Sequence, residues 1–199
     1  MQPIPKLIIL GRDGILNEFR EDHIKAPEEW VAVPGALEAV SRLNHAGWHV
    51  VVATNQSGIG RGMIDMSSVN AVHAHMLRKL QALGGRIDAV FFCPHTAQDD
   101  CDCRKPMPGM LLDIGRRYGV DLAMVPMVCD TLRDLQAAQA AGCEPHLVRS
   151  GRAAPLDAGQ LASLIEQVPG TFVHTDLAEL ATHMLERAHV RDSQSGGLT

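Results

Sequence analysis

The feature that most constrains this chain is an alternation that begins at Lys6 and is repeated almost to the carboxyl end. Short runs of β-branched residues are each followed by a stretch with helical spacing. Lys6-Leu7-Ile8-Ile9-Leu10 is apolar after its lysine, as a strand covered on both faces must be, and Val50-Val51-Val52-Ala53 and Ala89-Val90-Phe91-Phe92 repeat the pattern. Further strands are expected at 125–128 and 146–148, with an edge strand at 172–173. Between them, Leu37, Val40 and Leu43 share one helical face, with Gly47 after the end. Val69, Val72, Met76, Leu80 and Leu83 form a longer stripe, capped by Ser67 or Ser68. Helices are also expected over 108–117 (proline in its first turn, Gly119 after its end), over 132–141 (closed by Gly142) and over 161–168. A last helix carries Leu177, Leu180 and Met184, with Thr175 as its cap. Strand–helix alternation of this kind predicts one doubly wound parallel α/β domain over 1–190, followed by a disordered tail over 191–199. In such a sheet ligands bind at the carboxyl ends of the strands.

Composition narrows the class. With 199 residues, 46% hydrophobic and 21% charged, one globular core is expected. The net charge of −5 and an aromatic share of 4% argue against a nucleic-acid partner and against a basic membrane surface. No apolar run reaches the ~20 residues that span a bilayer, and Met1-Gln2-Pro3-Ile4-Pro5-Lys6 does not read as a leader. Five cysteines, an odd number, do not suggest a secreted disulfide framework, so a reducing cytoplasm is expected. With no heptad seam, a monomer is the plain expectation.

Two constellations carry chemistry. Cys93-Pro-His95 and Cys101-Asp-Cys103 place three sulfurs and one imidazole in a loop after a strand. A closed Cys₃His set suits tetrahedral, structural zinc. The spacing is tighter than usual, and free thiols or a Cys101–Cys103 redox pair are the bland alternatives. Cys143 reads as a small buried apolar residue, and His73 and His75 as solvated helix residues away from the metal ligands. The second constellation follows the strand ends: Gly11-Arg12-Asp13-Gly14, then Thr54-Asn55-Gln56-Ser57-Gly58, then Arg104-Lys105-Pro106, then Asp130 and Asp134. Each could be an ordinary loop or cap. Together they gather carboxylates, hydroxyl and amide donors and cations at one sheet edge, the mixture phosphoryl transfer needs.

These motifs resemble the haloacid dehalogenase superfamily. Within it, Thr-Asn-Gln-Ser-Gly and the Cys-x-His…Cys-x-Cys-Arg-Lys-Pro stretch are similar to the zinc-containing D-glycero-D-manno-heptose-1,7-bisphosphate 7-phosphatase family, over about residues 6–149. The histidinol-phosphatase domain is the nearest rival, disfavoured because no second catalytic domain accompanies the chain. The resemblance implies a Rossmann-like domain without a large cap, and Mg²⁺-dependent hydrolysis of a small sugar phosphate through a phospho-aspartate. It implies Asp13 as general acid and base, with Arg12, Thr54, Asn55, Gln56, Ser57 and Lys105 around the phosphate. Arg104 would grip the sugar or its other phosphate. Asp130 and the Asp13 carbonyl would hold Mg²⁺ with support from Asp134, while Cys93, His95, Cys101 and Cys103 would hold Zn²⁺ and aim Arg104 and Lys105. No motif marks residues 19–22, where such enzymes contact sugar.

Two positions depart from the pattern. Gly11 stands where the family keeps its nucleophilic, metal-binding aspartate; glycine can neither attack phosphorus nor hold magnesium. Arg12, a permanent cation, is no substitute, and Asp13 could attack only by giving up its acid role. Cys129 stands where the family has glycine before the metal-binding aspartate, either as a buried thiol or as an intrusion on the site. A pseudophosphatase that binds phosphate without turnover is therefore the alternative to an enzyme.

Overall fold

A computed structural model describes residues 6–195, with side chains through Val190. The amino-terminal residues 1–5, and 196–199 of the expected tail, lie outside the described residues. Six parallel strands form one sheet: β1 (Leu7–Leu10), β2 (His49–Asn55), β3 (Ala89–Cys93), β4 (Pro126–Cys129), β5 (Glu144–Val148) and β6 (Phe172–His174), in the order β3-β2-β1-β4-β5-β6. The apolar runs form these strands because both faces are covered. Ile8, Leu10, Val50, Val52, Val128 and Val148 face one core; Leu7, Ile9, Val51, Ala53, Met127 and Leu147 face the other. The first core lies under α1 (Ala36–His45), α3 (Met66–Gln81) and α7 (Leu177–Ser195). The second lies under α4 (Gly109–Tyr118), α5 (Leu132–Ala141) and α6 (Ala158–Gln167). The short α2 (Ser57–Gly60) follows β2 directly. No helix among the described residues is long and apolar enough to cross a membrane.

Several boundaries differ from the expected ones for local reasons. Asp65, not Ser67 or Ser68, caps α3, because its carboxylate reaches Ser68 N at 2.7 Å. Leu83 falls beyond that helix and is 42% exposed. Asp176 rather than Thr175 caps α7, its Oδ1 accepting from Glu179 N at 2.7 Å. Pro108 precedes α4 rather than entering it. A capping box, Asp157 with Gln160, starts α6 three residues before the apolar stripe shows. Residues 191–195, expected in the tail, continue α7.

The chain leaves β1 in one direction toward β2 and β3 and returns on the other side to β4, so β1 and β4 flank the reversal of strand order. There the carboxyl ends of two adjacent strands diverge and leave a crevice. The loop after β1 is tied across it by Gly11 N to Val128 O at 2.8 Å.

Candidate active site

The crevice is a cavity of about 210 Å³, and Gly11, Asp13, Thr54, Lys105 and Asp130 all line it. Arg12, Asn55, Ser57, Arg104 and Asp134 line it as well, so the expected residues from four strand ends converge. Gln56 stands behind the wall. Its amide nitrogen donates to Asp13 Oδ2 at 3.0 Å and to Thr54 Oγ1 at 2.9 Å, linking the two loops.

Asp13 is held tightly. Its carboxylate accepts from Arg12 Nη2 at 2.8 and 3.1 Å, from Arg12 Nε at 3.2 Å and from Asn17 Nδ2 at 3.0 Å. Burial alone would raise its pKa, but the Arg12 charge and the hydrogen bonds of Asn17, Arg12 and Gln56 outweigh it and hold the group below the ordinary range. Asp13 is therefore a carboxylate at neutral pH, ready to accept a proton. Arg12, expected on the phosphate, is 2% exposed and commits its fork to Asp13. Its remaining Nη1 contacts Nε2 of His73 at 3.2 Å. His73 is thus buried rather than solvated, and burial, then Arg12, pushes its pKa down to about 4. His75 packs edge-on to Trp30 and is not free in solvent either.

Lys105 is 2% exposed, which an ammonium tolerates only when paired. It donates to Asp134 Oδ2 at 3.0 Å and to the carbonyl of Ala53 at 2.9 Å, leaving one of its three donors for a ligand. Asn55 sets its backbone, donating to Lys105 O at 3.0 Å and accepting from Lys105 N at 3.2 Å. Asn55 thus positions Lys105, and Asp134, expected to support a metal, serves as the counter-ion of Lys105. The other Asp134 oxygen, Oδ1, is buried with no hydrogen-bond partner.

Asp130 accepts from Arg152 N at 2.9 Å and is wedged between Gly14 and Gly151, both in left-handed conformation; a side chain on either glycine would collide with its carboxylate. Burial first, with the Asp134 charge adding, pushes its pKa up to about 6. Gly11 is different. A Cβ there would lie 3.3 Å from Ile15 Cγ1 and 3.5 Å from Val128 O, so a side chain fits with a shift of tenths of an ångström. Cys129 does not intrude: it is fully buried in the second core, its thiol directed to Thr131 O and His146 O, and burial raises its pKa well above the ordinary value.

Beside the cavity, the donor atoms of Cys93, His95, Cys101 and Cys103 all lie within 4.8 Å of one another. The closer pairs are Cys93–Cys103 at 3.2 Å, Cys103–His95 at 3.3 Å, Cys93–His95 at 3.5 Å and Cys93–Cys101 at 4.0 Å. Those edges fit a tetrahedron about one divalent ion with metal–ligand bonds of roughly 2.0–2.3 Å. Burial, then the neighbouring thiols, pushes Cys103 up to about 12, a penalty a bound cation would remove. Arg104 Nη1 donates to His95 O at 3.1 Å, tying the arginine to this cluster. Among the described residues no comparable cluster joins Asp13, Asp130 and Asp134.

Sequence reasoning missed His23, Arg61, Arg133 and Arg152 in the cavity wall and His73 behind it, while Phe19, in the stretch where the family contacts sugar, lines the wall as well. No motif marks them. Only His23, a non-glycine residue at φ 65, carries a backbone oddity, and that is invisible in sequence.

Comparison with known proteins decides the family. A polynucleotide kinase 3 phosphatase family model matches residues 13–129, and a HAD-hydrolase-like model matches 102–180. D-glycero-beta-D-manno-heptose-1,7-bisphosphate 7-phosphatase of Bordetella bronchiseptica is 52% identical over 92% of this chain and 99% of its own length. The chain belongs to the heptose-bisphosphate 7-phosphatase family of haloacid-dehalogenase-type phosphatases. The family member of Pseudomonas aeruginosa is 44% identical over 90% of this chain and 98% of its own. The crystal structure of the Bordetella family member, complexed with magnesium and phosphate, superposes with a TM-score of 0.85 at 51% identity, covering 92% of this chain and 99% of that one. By family the chain is a phosphomonoester hydrolase.

Proposed function

We propose that the cavity is a Mg²⁺-dependent phosphoryl site for D-glycero-β-D-manno-heptose 1,7-bisphosphate, and that this chain binds the 7-phosphate but turns it over slowly. The convergence of Asp13, Thr54, Lys105 and Asp130 on one cavity, with Gly11 in its wall, carries the reading. The Thr54 hydroxyl and the free donor of Lys105 hold the phosphoryl oxygens. Asp130 and the Asp13 carbonyl would be the remaining protein ligands for Mg²⁺, one carboxylate fewer than the resemblance implies; substrate phosphate completes such sites. The ion, when bound, would offset charge on the phosphoryl oxygens.

With no carboxylate at position 11, no phospho-enzyme forms. Asp13 can instead take the proton of an attacking water while the water oxygen bonds to phosphorus, then return it to the departing sugar oxygen. By analogy with another enzyme class, losing a covalent nucleophile costs about 10⁶ in rate, roughly 8 kcal/mol. The Cys₃His cluster would hold structural zinc, since four protein donors leave no open position. Its role is to fix Arg104 and Lys105.

The test is a phosphatase assay of the unaltered chain beside Gly11→Asp, with heptose 1,7-bisphosphate, histidinol phosphate and Mg²⁺. Recovery of several orders of magnitude by Gly11→Asp on the heptose ester is expected. Ordinary enzyme rates from the unaltered chain would reject the impairment. A Gly11→Asp variant that prefers histidinol phosphate, or acts on neither ester, would reject the substrate.

A further inference from the structure

Phe19 and Arg152 belong to no phosphatase motif, yet both line the cavity, on the loops after β1 and β5. The Arg152 guanidinium carbon lies 3.9 Å from the centroid of the Phe19 ring. A cation–π contact of this kind uses the positive charge and need not consume the guanidinium's hydrogen-bond donors. Among the described residues that side chain has no hydrogen bond or salt bridge, so its donors are available to a ligand. Of the other cations, Arg12 is committed to Asp13 and His73, Lys105 spends two of its three donors on Asp134 and Ala53 O, and Arg104 donates to His95 O. Arg20, at the same rim, is paired with Asp22.

The Arg152 backbone fixes where this guanidinium starts. Its N–H donates to Asp130 Oδ2, and the preceding Ser150 Oγ donates to Gly14 O at 2.5 Å. The Cα is thus anchored against the inner phosphoryl site, and the side chain runs one arginine length outward onto Phe19. An anion gripped there would be a second group on the same ligand. We propose that Arg152, braced on Phe19, is a specificity-determining residue that holds the second phosphate of a sugar bisphosphate. This inference rests on the proposed function, and it adds Arg152 to Arg104, which the resemblance assigns to the sugar or its other phosphate.

Slow turnover allows equilibrium titration of the unaltered chain with Mg²⁺ and, separately, heptose 1,7-bisphosphate and heptose 7-phosphate. The bisphosphate is expected to bind more tightly. Arg152→Gln should weaken it by about 10- to 100-fold, the range of a charge-assisted contact, and change the monophosphate by no more than about twofold. Arg152→Lys and Phe19→Leu should each give part of that loss, since one keeps charge without the planar fork and the other keeps bulk without the ring. Equal weakening of both esters by Arg152→Gln would mean it acts on Asp130, and would overturn the assignment. Unchanged bisphosphate affinity in Arg152→Gln would do the same. Failure of the unaltered chain to bind either ester would sink the proposed function along with it.

Discussion

Arg12 Nη1 lies 3.2 Å from His73 Nε2, joining a core-facing position on α3 to the loop that carries Asp13. For a guanidinium donor to be accepted there, His73 must be neutral with its proton on Nδ1.

Stability should therefore fall with acid. The folded pKa of His73 is about 4 against an ordinary 6.5, so the unfolded chain takes up its proton first as pH drops. The contribution is present above pH 6.5 and is lost as pH falls through 4, on the order of 3 kcal/mol in total. His174 is held down to about 4 by burial, then by His146 and His183, and acts in the same window. Urea denaturation at pH 7 and pH 4.5 checks this; His73→Gln should show a shallower dependence, and an unchanged slope would contradict the coupling.

Lys105 and Asp134 should behave as a unit. Lys105→Ala strands a buried carboxylate and should destabilise by about 3–5 kcal/mol. The double variant Lys105→Met/Asp134→Leu should cost less than that single change, measured by urea denaturation at pH 7. A double variant worse than the single would mean the pair stabilises beyond mutual neutralisation.

Gly14 and Gly35 offer an internal control. Both have positive φ, at 81 and 76, yet a Cβ at Gly35 would meet nothing within 4 Å, whereas at Gly14 it would strike Asp130. Gly35→Ala should cost about 1–2 kcal/mol for conformation alone. Gly14→Ala should cost a further ~1–3 kcal/mol and weaken Mg²⁺ binding. Equal melting temperatures for the two variants would count against the wedge.

Metal analysis should find one zinc per folded chain. Removing it should release the thiols of Cys93, Cys101 and Cys103 to titration, lower the melting temperature and weaken phosphate-ester binding, because Arg104 is tied to the backbone of His95. Stable, metal-free protein with full ester affinity would reject both zinc and its positioning role.

The sheet was legible because strands buried on both faces are written as unbroken apolar runs, as in Leu7–Leu10. The convergence of Asp13, Thr54, Lys105 and Asp130 was legible because parallel strands deliver their following loops to one edge. What escaped was long-range or conformational. His73 looks like any polar helix residue until Arg12 arrives from 61 positions away. Asp134 was expected to support the metal, and only the fold shows that it is also paired with Lys105. Cys129 was evenly poised between intrusion and burial until the direction of its thiol was known. Caps slipped where Asp65 and Asp176 competed with nearby hydroxyls.

The cavity is layered in charge. Its inner cations carry their own counter-ions, Arg12 with Asp13 and Lys105 with Asp134, whereas Arg61 and Arg152 at the exposed wall form no salt bridge among the described residues. Attraction felt at long range therefore comes from the outer ring, where bulk electrolyte can screen it. Added salt should slow capture of an anion from solution while leaving its hold on the inner donors nearly untouched.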